Sequence, residues 1–126
     1  MADAGNLSPM RILLASDDIP FVDRLSAAAA HRGVAVDRVS AETDVDVALA
    51  RHGSNVYVVD ANAAVRRGAR TATAFAARHP GIPVVVLADG ADAPAAAGLL
   101  LLDRLRSSER LIGAIETAYV AACSSI

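Results

Sequence analysis

Short apolar runs alternate along this chain with longer alanine-rich stretches, and this alternation constrains its fold more than any other feature. The apolar runs are RILLA (11–15), VAVDRV (34–39), NVYVV (55–59), PVVVL (83–87) and LLLL (99–102). Several are apolar at nearly every position, which is typical of strands buried on both faces of a parallel sheet. The run at 34–39 is more mixed and indicates an edge strand.

Helices are predicted between these strands, because the stretches that separate them carry helical spacing and helix-end residues. The predicted starts and stops are, in chain order, Pro20, Gly33, Thr43 or Asp44, Gly53, Pro80-Gly81 and Ser107 or Ser108. Only a short helix around 95–97, with Pro94 at its start, fits before the last strand. Strands that alternate with helices call for right-handed crossovers and a doubly wound α/β sheet.

The size and charge of the chain exclude several classes of protein. With 126 residues, 54% of them apolar, it fits one domain over 10–126 after a loose tail, Met1 to Pro9. A net charge of −2 without a basic tail argues against nucleic-acid binding. The longest apolar stretch, 93–102, is too short to span a membrane. A tail without Arg is no signal peptide, and the single Cys123 forms no internal disulfide, so we expect a cytoplasmic location.

Acidic residues follow several of the predicted strands, where parallel sheets place their ligands. These strand ends are Ser16-Asp17-Asp18, Asp60, Ala88-Asp89 and Asp103-Arg104. Carboxylates gathered at one edge repel one another unless a cation such as Mg²⁺ lies among them. Taken individually, Asp18, Asp89 and Asp103 are better explained as helix caps or turn residues. Asp60 follows the most apolar strand, where a charge needs a partner, so it is the candidate nucleophile toward a phosphoryl group.

Four segments together resemble the receiver domain of bacterial response regulators. They are RILLASDD, NVYVVDANAAVRRG, in which Gly68 lies eight residues after Asp60, PVVVLADG and SSERLIGAIETAY. The resemblance implies a flavodoxin-like, five-stranded parallel sheet of order 2-1-3-4-5, here with a shortened fourth helix. It also implies that Asp60 is the phosphoacceptor and that Mg²⁺ is held weakly by Asp17, Asp60 and the carbonyl of Asn62.

The chain departs from the pattern of the family at the positions that handle the phosphoryl group. Ser16 replaces the first of two acidic residues, and Asp18 is a secondary acidic residue that could stand in for it. Ala88 replaces the switch hydroxyl, and Arg104 replaces the lysine that contacts the phosphoryl group. The loss of the hydroxyl removes a charge-assisted hydrogen bond worth about 1.5–3 kcal/mol. The resemblance therefore predicts a degenerate member, a pseudo-receiver.

Two interpretations of the mechanism stay open at this point. Either Asp60 still accepts phosphate in a phosphorelay, or the fold serves as a phosphorylation-independent module that acts through protein contacts. The chain is not expected to be an enzyme; the alternative is a small Mg²⁺-dependent phosphatase that uses the same acidic edge. The three His residues share no ligand spacing with Cys123, which argues against a zinc site.

The partners implied are a histidine kinase, a phosphotransfer protein or an output protein, with no nucleic acid and no membrane. The strand 99–102 and the last helix could also form a homodimer, because a short preceding helix would leave this apolar edge exposed. The arginines form two runs that are either solvated faces or a docking patch for an acidic partner. These runs are Arg66, Arg67, Arg70 and Arg78, and Arg104, Arg106 and Arg110.

Overall fold

The structure of this protein, a computed structural model, describes residues 10–40, 44–60, 65–89, 93–94 and 99–124. The predicted tail, 1–9, lies outside the described residues. The strands are β1 (Arg11–Ala15), β2 (Ala35–Val39), β3 (Val56–Asp60), β4 (Val84–Ala88), β5 (Ala93–Pro94) and β6 (Leu99–Asp103). The helices are α1 (Ile19–Ala30), α2 (Val45–His52), α3 (Val65–Arg78) and α4 (Ser108–Ser124). None of these described helices is long and apolar enough to cross a membrane.

The sheet has the order β2-β1-β3-β4-β6-β5, and its five long strands are parallel. This arrangement confirms the predicted α/β class and the order 2-1-3-4-5 of the long strands. Strand β2 is an edge strand whose residues are half-buried or exposed, as its mixed sequence predicts. Each long strand lies within one residue of its apolar run, because such runs are buried on both faces of the sheet.

The core consists of two apolar layers, one on each face of the sheet. In β1, Ile12 and Leu14 pack in the layer under α1 and α4, whereas Leu13 and Ala15 pack in the layer under α2 and α3. The other strands alternate in the same way, because successive side chains of a strand point to opposite faces. The buried aromatic ring of Phe75 lies 4.7 Å from that of Tyr57 in the second layer. Burial raises the pKa of the Tyr57 hydroxyl to about 12.

The helix ends follow the predicted capping residues. Asp18 caps α1 and Asp44 caps α2, each accepting a hydrogen bond from a backbone amide three residues ahead. Gly33 and Gly53 have φ angles of 72° and 65°, in the left-handed region that favours glycine. Ser107 caps α4 through a hydrogen bond from the Arg110 amide to its hydroxyl oxygen. These caps place the strand–helix junctions where the candidate site forms.

The segment between β4 and β6 differs from the sequence-based prediction. Pro94, expected to start a short helix, lies in the two-residue strand β5, which pairs antiparallel with Leu100 and Leu101 of β6. A proline is tolerated there because an edge strand need not donate on its outer side. The expected helix around 95–97 lies outside the described residues. The edge of β6 is thus paired at Leu100 and Leu101, so the prediction of a free apolar edge at these two positions is wrong.

Candidate functional site

Four side chains meet at the carboxyl ends of β1, β3 and β6, on the α1 side of the sheet. They are Ser16, Asp18, Asp60 and Arg104, and we call them the strand-end cluster. Ser16 follows Ala15, which pairs with Val59, so Ser16 and Asp60 lie side by side on adjacent strands. Arg104 directly follows β6 and reaches back across the sheet edge to Asp60.

Both carboxylate oxygens of Asp60 are engaged by other side chains. Arg104 donates from Nε to Oδ1 at 2.8 Å and from Nη2 to Oδ2 at 3.3 Å. The hydroxyl of Ser16 donates to Oδ2 at 2.6 Å. Only 6% of the Asp60 side chain is exposed, so its charge is balanced inside the protein rather than by water.

Asp18 has two roles, one at each oxygen of its carboxylate. Oδ1 accepts the backbone N–H of Phe21 and caps α1, while Oδ2 accepts from Nη2 of Arg104. The hydrogen bond from Arg104 and that from the Phe21 amide lower the pKa of Asp18 below its ordinary value. Asp18 therefore stays ionised and gives the guanidinium a second acidic partner.

Arg104 is held in the strand-end cluster by its backbone as well as by its side chain. Its amide donates to the carbonyl of Ala88 at 3.0 Å, and its guanidinium carbon lies 4.2 Å from the centre of the Phe21 ring. Burial opposes the charge on Arg104, but the hydrogen bonds to Asp60 and Asp18 outweigh this effect and raise its pKa. With 11% of its side chain exposed, Arg104 does not belong to a solvated arginine run.

The two described residues among the predicted magnesium ligands, Asp17 and Asp60, each pair with an arginine. The Asp17 side chain is 61% exposed, and Oδ1 of its carboxylate accepts from Nη2 of Arg38 at 3.1 Å. Both oxygens of Asp60 accept hydrogen bonds, and Asn62 lies outside the described residues. Among the residues that the structure describes, no group of three His, Cys, Asp or Glu side chains could hold a metal ion. The described residues therefore do not fit the Mg²⁺ site that the resemblance implies.

The remaining candidates are Ala88 and the arginines of α3. Ala88 is buried at the end of β4, where a hydroxyl is absent and its carbonyl accepts from Arg104. Arg78 pairs with Asp46 of α2, which also contacts the ring of His79 at 2.7 Å. The hydrogen bonds from His79 and Arg78 lower the pKa of Asp46. The side chains of Arg66, Arg67 and Arg70 lie outside what the structure describes.

A shallow apolar groove of about 680 Å³ runs along α4 at the opposite end of β6 and β4. None of its lining residues is charged. It is lined by Pro80, Ile82, Pro83, Val84, Leu100, Leu102, Ala114, Thr117, Ala118, Ala121 and Ala122. We call it the α4 groove. Leu102 is buried and Leu100 is half-buried, and both line the α4 groove. The groove is therefore the apolar surface to which β6 contributes.

Three residues of the site were not singled out as site residues from the sequence. Ser16 was considered only as a lost carboxylate, although a serine after β1 can donate to a carboxylate on the next strand. Arg38 of β2 donates from Nε to the carbonyl of Ser16 at 2.9 Å and thus supports the β1 end. Phe21 lies under Arg104. The predicted strand order places β2 beside β1, and this is the one sequence-based signal that could have indicated Arg38.

No protein-family model matches the sequence, and no functionally curated protein is similar to it. The fold, in contrast, is shared with solved receiver domains. The chain is similar to the apo receiver domain of nitrogen regulatory protein C, with a TM-score of 0.72 and 20% identity over 89% of this chain and 95% of that one. An atypical orphan response regulator gives a TM-score of 0.68 and 17% identity over 88% and 96%.

NtrX from Brucella abortus gives a TM-score of 0.69 and 19% identity, over 91% of this chain. The chain spans only 27% of the length of that protein. All three sequence identities are below 25%, so these similarities show the fold alone. The chain therefore has the fold of a response-regulator receiver domain.

Proposed function

We propose that this chain is a cytoplasmic, non-enzymatic signalling module of the receiver type that acts through protein–protein contacts without phosphorylation of Asp60. Its partners would be the histidine kinase, phosphotransfer protein or output protein of a response-regulator pathway. The observation that carries the proposal is the engagement of both Asp60 oxygens by Ser16 and Arg104.

Phosphorylation of Asp60 would require its carboxylate to leave two partners and attack a phosphorus atom. The bidentate contact of Arg104 and the short bond from Ser16 hold both oxygens, and charge-assisted bonds of this kind are the strong ones. The buried side chain of Ala88 offers no hydroxyl to a phosphoryl group. Both features favour a module whose conformation is set by its own side chains.

One of the similar structures lends support to this mode of action. The atypical orphan response regulator named above is described as having a phosphorylation-independent regulatory mechanism. The phosphatase alternative gains no such support. Metal-assisted hydrolysis needs a carboxylate free to bind the metal, whereas Asp60 is paired with Arg104 and Asp17 with Arg38.

Beryllofluoride, a mimic of the phosphoryl group, tests the proposal directly. We expect that adding Mg²⁺ and beryllofluoride leaves the amide NMR spectrum of the wild type unchanged. The spectrum of Asp60→Asn should be unchanged as well. The reason is that Arg104 and Ser16 occupy the oxygens to which beryllium would bind. Changes seen only in the wild type and extending to Leu99–Asp103 would contradict the proposal.

A variant that restores the pattern of the family provides the positive control. Ser16→Asp, Ala88→Thr and Arg104→Lys, combined in one chain, return the acidic residue, the hydroxyl and the lysine that the resemblance implies. This variant should respond to beryllofluoride under the same conditions. Its response would show that the silence of the wild type arises from these three positions and not from the assay.

For the partner surface, we propose that the α4 groove receives a second copy of this chain. An uncharged groove can face its own copy across a two-fold axis without like-charge repulsion. Val120, which lies beside Thr117 and Ala121 on α4, is 60% exposed and would add apolar area. We expect sedimentation velocity to show a sedimentation coefficient that rises with concentration in the wild type.

Charge placed in the α4 groove should abolish this association. Ala118→Arg puts a guanidinium on each of the two facing surfaces, so the variant should stay monomeric at all concentrations. Ala50→Arg, at an exposed position of α2, is the matched control and should associate like the wild type. A wild type that stays monomeric at high concentration would contradict the proposed homodimer.

A further inference from the structure

We propose that the guanidinium of Arg104 is the resident cation of the strand-end cluster and stands in place of a divalent metal. The domain would then hold its acidic edge together without Mg²⁺. This inference rests on the proposed function, because both start from the engagement of Asp60, but the two fail in different measurements, as set out below.

Arg104 carries the single positive charge among the four side chains of the strand-end cluster. Asp60 is buried and Asp18 is 42% exposed, so two carboxylates converge on one point at the edge of the sheet. Like charges this close destabilise each other unless a cation lies between them. Arg104 touches both, through Nε and Nη2 on Asp60 and through Nη2 on Asp18.

The position of Arg104 is built by the fold rather than by the carboxylates alone. Its amide is tied to the carbonyl of Ala88 on the neighbouring strand, at 3.0 Å. The ring of Phe21 lies against its guanidinium, at 4.2 Å, and the side chain is only 11% exposed. A planar guanidinium suits this place, because it can make a bidentate contact and stack on an aromatic ring at the same time.

A divalent metal would have to compete with this arrangement. It would need oxygen ligands, but Oδ1 of Asp18 caps α1 and Oδ2 binds Arg104. The hydroxyl oxygen of Ser16 accepts from the Asp18 amide while its proton goes to Asp60. A metal placed beside an unmoved guanidinium would also meet a like charge at close range. Removal of the guanidinium, in contrast, takes the competing positive charge away from Oδ1 of Asp60 and Oδ2 of Asp18.

The experiment compares Mg²⁺ binding by the wild type, Arg104→Ala and Arg104→Gln. The probe is Mg²⁺ alone, followed through the amide NMR signals of Asp18 and Asp60 and through the midpoint of thermal unfolding. We expect no saturable shift in the wild type beyond that of NaCl at equal ionic strength. Arg104→Ala should bind Mg²⁺ at least about ten-fold more tightly than the wild type, because the competing positive charge is gone.

Arg104→Gln and one double variant complete the experiment. Arg104→Gln removes the charge but can still donate to Asp60, so it reports on the cation even if Arg104→Ala does not fold. Arg104→Gln/Asp60→Asn should lose the gained Mg²⁺ affinity. The inference is overturned if wild type and Arg104→Gln bind Mg²⁺ equally, or if the gain survives Asp60→Asn. The proposed function is tested separately, by the response of the wild type to beryllofluoride. The inference on Arg104 can therefore fail in the Mg²⁺ experiment while the proposed function holds.

Discussion

Replacing Arg104 by methionine is expected to lower the free energy of unfolding by about 3 kcal/mol at neutral pH, because the buried Asp60 carboxylate loses the arginine that pairs with it. Methionine keeps an apolar side chain at this position, while the guanidinium that lies over the Phe21 ring is lost. The buried carboxylate of Asp60 would then retain only the hydrogen bond from Ser16 among those described above. Urea denaturation followed by circular dichroism measures the difference.

The double variant Asp60→Asn/Arg104→Met separates charge from packing. Removing both partners of a buried ion pair is far less costly than removing one, so the double variant should be more stable than Arg104→Met. Arg78→Met is the matched control, since it breaks a half-exposed ion pair with Asp46, away from the strand-end cluster. A loss for Arg104→Met no larger than that for Arg78→Met would show that Asp60 is not charged and buried as described.

Replacing Phe75 by alanine is expected to cost about 3–4 kcal/mol, because a fully buried ring leaves a cavity that the surroundings fill only in part. Phe75 lies between the buried ring of Tyr57 and the ring of His79, at centroid distances of 4.7 and 4.5 Å. It therefore joins the second apolar layer to the end of α3. Thermal and urea unfolding both report the loss.

Two variants bracket this prediction. Phe75→Leu keeps most of the buried apolar surface and should lose less than half as much stability as Phe75→Ala. Ala77→Ser, at an exposed position of α3, should change the free energy of unfolding by no more than about 0.5 kcal/mol. If Phe75→Ala were as stable as Ala77→Ser, the apolar layer around Phe75 would not be the closely packed core seen here.

The elements of the fold were predictable because their determinants are local. An apolar run such as 55–59 shows a buried strand by itself, and a residue such as Gly53 shows a helix end through its own backbone preference. Strand β1 was predicted with its observed bounds, Arg11–Ala15, and β4 was displaced by one residue. The strand order followed from the crossover rules together with the resemblance to receiver domains.

The candidate site was predictable in position but not in its bonding. Parallel strands bring Ser16, Asp60 and Arg104 to one edge, and this much follows from the order of the strands. Arg104 and Asp60 are 44 residues apart in the sequence, and whether their side chains form a hydrogen bond depends on rotamers and burial. Asp17 shows the same limit, since the sequence does not reveal that one of its carboxylate oxygens accepts a hydrogen bond from Arg38. The spacing of residues in the sequence does not reveal which of these side chains form hydrogen bonds with one another.

The reach of Arg104 across the sequence has a consequence for biosynthesis. It binds Asp60 from 44 residues away and Asp18 from 86 residues away, so neither contact can form until Arg104 has left the ribosome. The nascent segment before β6 must therefore carry the Asp60 carboxylate without its arginine partner. Contacts between residues this far apart in the sequence slow folding, and completion of the acidic edge distinguishes a chain that has reached Arg104 from one truncated before it.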